Sequence, residues 1–437
     1  MKRGLSKLAL VFAVFCVVSG GPFGLEELVK QIGPGMSLVL ILAIPIFWAL
    51  PDALTTAELS SAIPEEGGYV VWVHRALGPF WSFANAWWSW LYTLVDASLY
   101  PVLFVTYLSS LLQTAGYPYL ENHEFVRYGI ALVVIALFTY LNLRGTRIVG
   151  LASSAFSALI LLPFLAMAVI GAWRLSRGEG HLPLIRAEGG REGLAAGLAI
   201  VMWNYLGWDA LSTVAEEVEK PEKAYPLALA LVMPLVTAVY FIPTYIGLAF
   251  FPEAARWEEG AWPRIAAAVG GSWLSFAVNL AALVSPLALF TATVLGSSRL
   301  PFVLAEEGFL PKKLMAIHPR FGTPWLSILL CGAVFAILAW QKFQDLVTLN
   351  VVLYGDALIL ELLSLAILRV KEPNLPRPFR VKGGWPALVL VILCPMLVMG
   401  ALVVQSIQED GLKKMALTLA VLISAPIIYG IVRKRKA

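Results

Sequence analysis

Apolar runs of about 20 residues, separated by short polar connections, recur along the whole 437-residue chain. Each run is long enough to cross a hydrocarbon layer as a helix. Hydropathy predicts twelve of them, at roughly 6–31, 36–62, 79–112, 126–143, 148–173, 193–218, 225–251, 273–299, 324–341, 345–369, 385–407 and 415–432. Two are interrupted. Gly20, Gly21, Pro22, Phe23 and Gly24 place a proline and three glycines in the middle of the first run, where a helix unwinds. Asn204, Tyr205, Leu206, Gly207, Trp208 and Asp209 interrupt the sixth and add an acid. Backbone groups freed at membrane depth are tolerated only beside an enclosed or watery cavity. Half-helices facing such a cavity are how many secondary transporters hold a small charged solute.

With the breaks in the first and sixth runs, the two halves thread the membrane in opposite senses. The expected fold is therefore an all-α integral membrane protein of twelve transmembrane helices, built on a five-plus-five inverted repeat with broken first and sixth helices. The repeats run roughly over 6–173 and 193–369, in a transport core of residues 1–369. Residues 370–437 add two further helices and a tail. No extended residue-level self-similarity accompanies the repeat, so this inference is topological.

Composition fits a membrane protein: 59% of residues are apolar, 14% are charged, and the mean hydropathy is +0.79. Placement of charge matters more than the net +4. With the N-terminus inside, 21 of the 32 lysines and arginines fall on the cytoplasmic face and 11 on the other. Both termini are thus expected in the cytoplasm of a multi-pass protein of the cell (plasma or inner) membrane. Arg433, Lys434, Arg435 and Lys436 read as the last cytoplasmic anchor, not as a nucleic-acid site. No cleavable signal peptide is expected, because the first apolar run continues into its Gly-Pro break without a small-residue cleavage site. Cys16, Cys331 and Cys394 lie in apolar segments and read as small buried hydrophobes. His74, His123, His181 and His318 fall in connections and make no metal pattern. No nucleophile–base pair, phosphate loop or metal cluster points to an enzyme, a cofactor or a metal.

Several motifs resemble the amino acid–polyamine–organocation superfamily, most closely its polyamine-uptake branch of plants and trypanosomatids. They are Gly21-Pro22-Phe23-Gly24, Ala57-Glu58-Leu59 followed by Pro64-Glu65-Glu66-Gly67-Gly68-Tyr69-Val70-Val71-Trp72, and Asp96 with Leu99-Tyr100-Pro101-Val102-Leu103-Phe104. Trp208-Asp209-Ala210-Leu211-Ser212-Thr213, leading to Glu217-Val218-Glu219-Lys220-Pro221, is a fourth. The match covers the first six spans by motif and the rest by topology. The resemblance implies a leucine-transporter-like fold and import of putrescine or spermidine with protons by alternating access, with amino acids as the alternative cargo of bacterial relatives. The partners it implies are a small cationic substrate, the proton and the lipid bilayer, with the oligomeric state open.

In the wider superfamily the first break commonly reads Gly-Ser-Gly, whose free N–H groups hold a substrate carboxylate. Here Gly20, Gly21 and Pro22 align with it. Proline removes one donor, which a substrate without a carboxylate would not miss; equally, Pro22 could serve only to shape the kink. Asp209 is the leading candidate, as a partner for a substrate ammonium, as carrier of the coupling proton, or as the cap of the second half-helix. Asp96 lies one turn before Tyr100 and offers a second negative pole for a dication, or a hydrogen bond between helices. Asp52 is a further proton candidate beside Asp209 and Asp96. Glu58 reads as structural, and Asp356 and Glu361 are acids at depth that could join a watery route.

Trp203 aligns with the superfamily's gating aromatic. Phe23, Tyr205 and Trp208 could complete an aromatic cage around an ammonium, beside Asn204 and Gly207. With 15 Trp, 14 Tyr and 22 Phe, however, most rings must pack, including Trp81, Trp87, Trp88 and Trp90 at the start of the third span. Some proton-driven relatives carry a lysine in the fifth helix; here Ser153, Ser154 and Ser157 stand there instead. Sodium held by carbonyls of the first break and by Ser285 or Thr291 therefore stays open, although the buried acids favour the proton. Besides a polyamine importer, an amino-acid permease or exchanger and a non-transporting membrane sensor or scaffold are the competing functions.

Overall fold

The computed structural model describes residues 6–144, 153–186, 193–306 and 308–436, and these are helical with no strand among them. The chain runs through α1 (Lys7–Val18), α2 (Leu25–Ile32), α3 (Pro34–Ile44), α4 (Leu50–Ala62), α5 (Tyr69–Leu77), α6 (Pro79–Thr114), α7 (Glu124–Arg144), α8 (Ser153–Ser176) and α9 (Leu194–Trp203). It continues through α10 (Pro221–Phe250), α11 (Trp262–Gly270), α12 (Ser272–Ser297), α13 (Leu300–Glu306), α14 (Trp325–Leu338), α15 (Phe343–Lys371), α16 (Gly384–Asp410) and α17 (Leu412–Lys436). Among the described residues, eight helices are long and apolar enough to cross a membrane, with shorter apolar helices at Leu194–Trp203, Trp325–Leu338 and Thr418–Arg433. The two breaks are what shorten α1 and α9.

The second apolar run is not one uniform helix. A π-helical turn, Pro45–Ala49, separates α3 from α4. Pro45 has no N–H to give the carbonyl one turn back, that of Ile41. The Tyr205 hydroxyl donates to that carbonyl at 2.9 Å instead. A single widened turn is the usual accommodation of such a lost bond.

Two connections contain helices that the hydropathy pattern hides. α5 buries Tyr69, Trp72, Val73 and Ala76, and α11 buries Trp262, Ile265, Ala266 and Val269. Both are amphipathic stripes at i, i+3, i+4 and i+7. Each ends at a glycine with positive φ, Gly78 (φ 89) and Gly271 (φ 81), which opens a long helix. Beyond the two glycines the residues match briefly: Ser82-Phe83-Ala84 and Ser275-Phe276-Ala277 stand at the same distance from them. The register is the same in both halves of the chain. His74 is part of α5, which corrects its assignment to a connection.

α15 runs between the two ends of the bundle marked by these short helices. Near its start Gln344 donates to Glu27 of α2 at 2.8 Å, and Gly260, just before α11, donates to Glu26 at 3.0 Å. Past its other end Glu372 takes two bonds from Arg75 of α5, at 2.7 and 2.6 Å. Also at the α5 end, buried Glu58 is gripped by the Arg369 guanidinium through Nε (2.9 Å) and Nη2, with the Val381 N–H at 2.8 Å and Arg377 Nε at 3.3 Å. Glu58 is thus a structural clasp.

Candidate functional site

The first break lies between Val18 and Leu25. Gly21 (φ 93) and Gly24 (φ 89) occupy the left-handed region that glycine alone enters freely. The Ser285 hydroxyl of α12 donates to the Gly20 carbonyl at 2.6 Å, and a Cβ on Gly20 would lie 2.4 Å from Leu289 Cδ1. Trp262 of α11 donates to the Pro22 carbonyl at 2.8 Å. Two N–H groups of the break are engaged within the chain: Gly21 N–H is 3.3 Å from Ser19 Oγ and Gly24 N–H is 2.8 Å from Glu26 Oε2, while Pro22 has none. Phe23 packs edge to face on Tyr107 and Phe164, with centroids at 5.2 and 5.3 Å.

At the second break, Asn204 turns its amide back to the Ile200 carbonyl (2.9 Å). The Tyr240 hydroxyl of α10 lies 2.9 Å from the Asn204 carbonyl and 3.3 Å from that of Val18, so one side chain spans the carbonyl ends of both broken helices. Trp208 donates to the Tyr205 carbonyl at 3.0 Å, and both rings are fully buried. Phe23, Tyr205 and Trp208 are thus buried and packed in this conformation. The Trp203 ring meets that of Phe343 edge to face at 5.5 Å. Gly24 leaves room for it, because a Cβ there would sit 3.1 Å from Trp203 Cζ3.

The acids divide into two groups. Asp96 accepts the Trp203 indole N–H on Oδ1 (2.9 Å) and the Tyr100 hydroxyl on Oδ2 (2.7 Å). Asp209 stands at the N-cap of the 3₁₀ helix Ala210–Glu217, after Gly207 (φ 90). Between Asp209 and Asp52 lies Tyr354 of α15, its hydroxyl 2.9 Å from Asp209 Oδ1 and 2.5 Å from Asp52 Oδ2. The Gly207 N–H donates to the same hydroxyl oxygen at 3.3 Å, and Thr56 lies 3.3 Å from Asp52 Oδ1. A phenol has one proton to give. Both carboxyls can be hydrogen-bonded to it only if one of them carries a proton of its own. One phenol hydroxyl thus stands between two buried carboxyls.

Sequence reasoning missed Tyr354, although a signal was there. Asn350, Tyr354, Glu361 and Ser364 form one polar stripe on α15, and Asn85, Ser89, Tyr92, Asp96 and Tyr100 form another on α6, both at helical spacing. The two stripes meet: Asn350 donates to the Tyr92 carbonyl (2.8 Å), the Tyr92 and Tyr354 rings touch at 5.1 Å, and Asn85 donates to Glu361 Oε1 (3.3 Å). Among the described residues, the charged groups acting on Asp52 and Glu361 are other acids. Asp356 stands apart from this group. The Thr291 hydroxyl bonds the Leu287 carbonyl of its own helix at 2.7 Å. The side chains of Ser153, Ser154 and Ser157 lie outside the described residues.

The family model of the amino acid permeases matches residues 10–426. A probable polyamine transporter of Arabidopsis thaliana is 36% identical over 99% of this chain and 86% of its own. A polyamine transporter of Oryza sativa subsp. japonica is 33% identical over 99% of this chain and 80% of its own. A branched-chain amino acid permease of Bacillus subtilis is 23% identical over 80% and 77% of the two chains. This chain belongs to the amino acid permease family, and is a multi-pass membrane transporter, not an enzyme.

Proposed function

We propose that this permease imports polyamines of the putrescine and spermidine class by proton symport, working by alternating access. The observation that carries the reading is the Asp52–Tyr354–Asp209 assembly: two carboxyls bridged by one hydroxyl, at the second break, with acids and no base acting on them. An ammonium and a proton are cations that satisfy such a pair. The first break supports the same substrate class, since the Gly21 and Gly24 N–H groups are taken by Ser19 and Glu26 and Pro22 has none, which leaves fewer donors for a carboxylate. Two relatives that span nearly the whole chain carry polyamine transport in their names.

We read the chain as twelve spans in a plasma or inner membrane, with an inverted five-plus-five repeat in residues 1–369, two appended helices, and both termini in the cytoplasm. The α5/α11 recurrence supports the repeat. With the termini in the cytoplasm, α5 would lie at the cytoplasmic end and α11 at the outer end. In transport, a substrate ammonium reaching Asp96 competes with the Trp203 indole for that carboxylate, then moves on to Asp209 at the second break. The shared proton is released to the cytoplasm with the substrate, before the empty carrier returns.

The test is uptake into proteoliposomes with an imposed pH gradient. Putrescine is expected to outcompete ornithine, and agmatine to outcompete arginine, by about ten- to a hundredfold, the worth of one charge-assisted hydrogen bond to a carboxylate. Accumulation should collapse with a protonophore. Tighter binding of arginine or ornithine than of the matching amine would replace this reading with an amino-acid permease. Sodium-dependent uptake that ignores the protonophore would move coupling to the Gly20 carbonyl and Ser285.

A further inference from the structure

We infer that Glu361 and Asn85 form a second ammonium subsite, on the α5 side of Asp209, which holds the leading amine of a polyamine; this rests on the polyamine reading above. Both side chains are fully buried. The Asn85 amide donates to the Ala357 carbonyl at 3.1 Å and to Glu361 Oε1 at 3.3 Å. Both acceptors demand the NH2 group, so the amide cannot be turned over, and its oxygen faces away from them. Asn85 Oδ1 and Glu361 Oε2 are left buried without a hydrogen-bond partner. Buried acceptors of this kind are ordinarily satisfied. Two unfilled acceptors, one of them a carboxylate oxygen, call for a donor that brings positive charge.

The place in the fold identifies the donor. Glu361 follows Tyr354 by seven residues, two turns along the same face of α15, which is about 10 Å of helix rise. Its side chain leans back toward the helix N-terminus, and so toward Tyr354. Asp52 and Asp209 lie close enough for their charges to act on it. An ammonium at Asp209 and another at Glu361 are therefore two stations along one polar file between α6 and α15. A diamine can occupy both at once, and a monoamine only one. A proton on Glu361 satisfies that carboxyl but leaves Asn85 Oδ1 unfilled, whereas an ammonium has enough N–H groups for both. Among the described residues, the side chains that bond or act by charge on Glu361 are Asn85, Asp209 and Asp52, none of them basic.

The experiment measures equilibrium binding of putrescine and butylamine to the purified full-length protein, for the wild type and for Glu361→Gln and Asn85→Ala. The wild type is expected to prefer putrescine by about ten- to a hundredfold. Glu361→Gln should bring the ratio near one, chiefly by weakening putrescine. Asn85→Ala, which keeps the carboxylate and removes one acceptor, should lower the ratio several-fold. If Glu361→Gln weakens both amines equally, or keeps the ratio while abolishing proton-driven accumulation, the subsite is overturned, and the polyamine reading survives. If the wild type binds neither amine but binds an α-amino acid, both readings fall. An unchanged ratio in folded Asn85→Ala overturns the role of the amide even where Glu361→Gln does not fold.

Discussion

The indole N–H of Trp203 donates to Asp96 Oδ1 at 2.9 Å, so the ring that closes against Phe343 is fastened to a carboxylate of α6. A substrate ammonium and this indole want the same oxygen. On the proposed reading, an ammonium bound at Asp96 would free Trp203 and so couple the closing of that ring to substrate recognition.

Trp203→Phe keeps an aromatic ring against Phe343 and deletes the competing donor. Equilibrium binding of putrescine is expected to tighten several-fold, within the ten- to hundredfold bound set by one charge-assisted hydrogen bond of about 1.5–3 kcal/mol. Turnover is expected to fall, since the gate loses its fastening. Weaker putrescine binding by the variant would show that the indole contributes to the substrate and does not compete with it.

Tyr354→Phe leaves Asp52 and Asp209 without the hydroxyl that joins them. Accumulation driven by a pH gradient is expected to drop at least tenfold, while putrescine exchange at equal pH persists. Asp209→Asn, which removes charge and titratable proton together, should abolish accumulation with the fold intact. Wild-type accumulation by either variant removes that residue from coupling.

Glu58→Gln strips the charge that compensates buried Arg369, and losing one member of a buried pair costs about 3–5 kcal/mol. The variant should unfold earlier on heating. Replacing both partners, Glu58→Leu with Arg369→Met, should recover much of the loss, because no orphaned charge remains. A double variant no better than the single one would mean that the clasp acts through Val381 and Arg377 instead.

Gly68 is held at φ 46, and a Cβ on it would lie 2.2 Å from Ser212 Oγ and 2.5 Å from Ser212 backbone carbon. The adjacent Gly67 donates to the Thr213 carbonyl at 3.0 Å. The start of α5 is therefore docked on the 3₁₀ segment that follows Asp209. Gly68→Ala adds backbone strain of about 1–3 kcal/mol to a contact that cannot yield. Transport is expected to be lost, whereas Gly78→Ala, with open space at the Cβ, should strain the backbone only. Equal effects of the two on uptake would separate the docking from function.

In the connection between α10 and α11, burial pushes Glu259 up to about 8, aided by the charges of Glu27 and Glu26 and opposed by Arg127 and Lys30. The folded protein thus keeps a proton here at pH values where the unfolded chain has lost it. Stability gained from this group is complete at acid pH and declines as pH rises through about 8. Glu259→Gln should match the wild type in thermal stability near pH 5 and exceed it near pH 9. Parallel melting curves for the two proteins across that range would exclude Glu259 as a source of pH dependence.

Much was legible in the residues alone. Hydropathy marked the spans because lipid demands long apolar helices, and the Gly-Pro and Asn-to-Asp interruptions marked the breaks because glycine and proline cannot sustain a helix there. The four-residue spacing of Asp96 and Tyr100 put them on one face, since neighbours on a helix are a local matter. The short helices α5 and α11 were not legible as spans, being amphipathic and only two turns or so long. Tertiary structure alone decided that Tyr354 stands between Asp52 and Asp209, whose positions are 302 and 145 residues away from it. It alone decided that Tyr205 fills the carbonyl released by Pro45, instead of facing a substrate. No periodicity relates residues so far apart. Which hydroxyl meets which carboxylate follows only from how packed helices bring their polar stripes into register, where burial favours paired polar atoms.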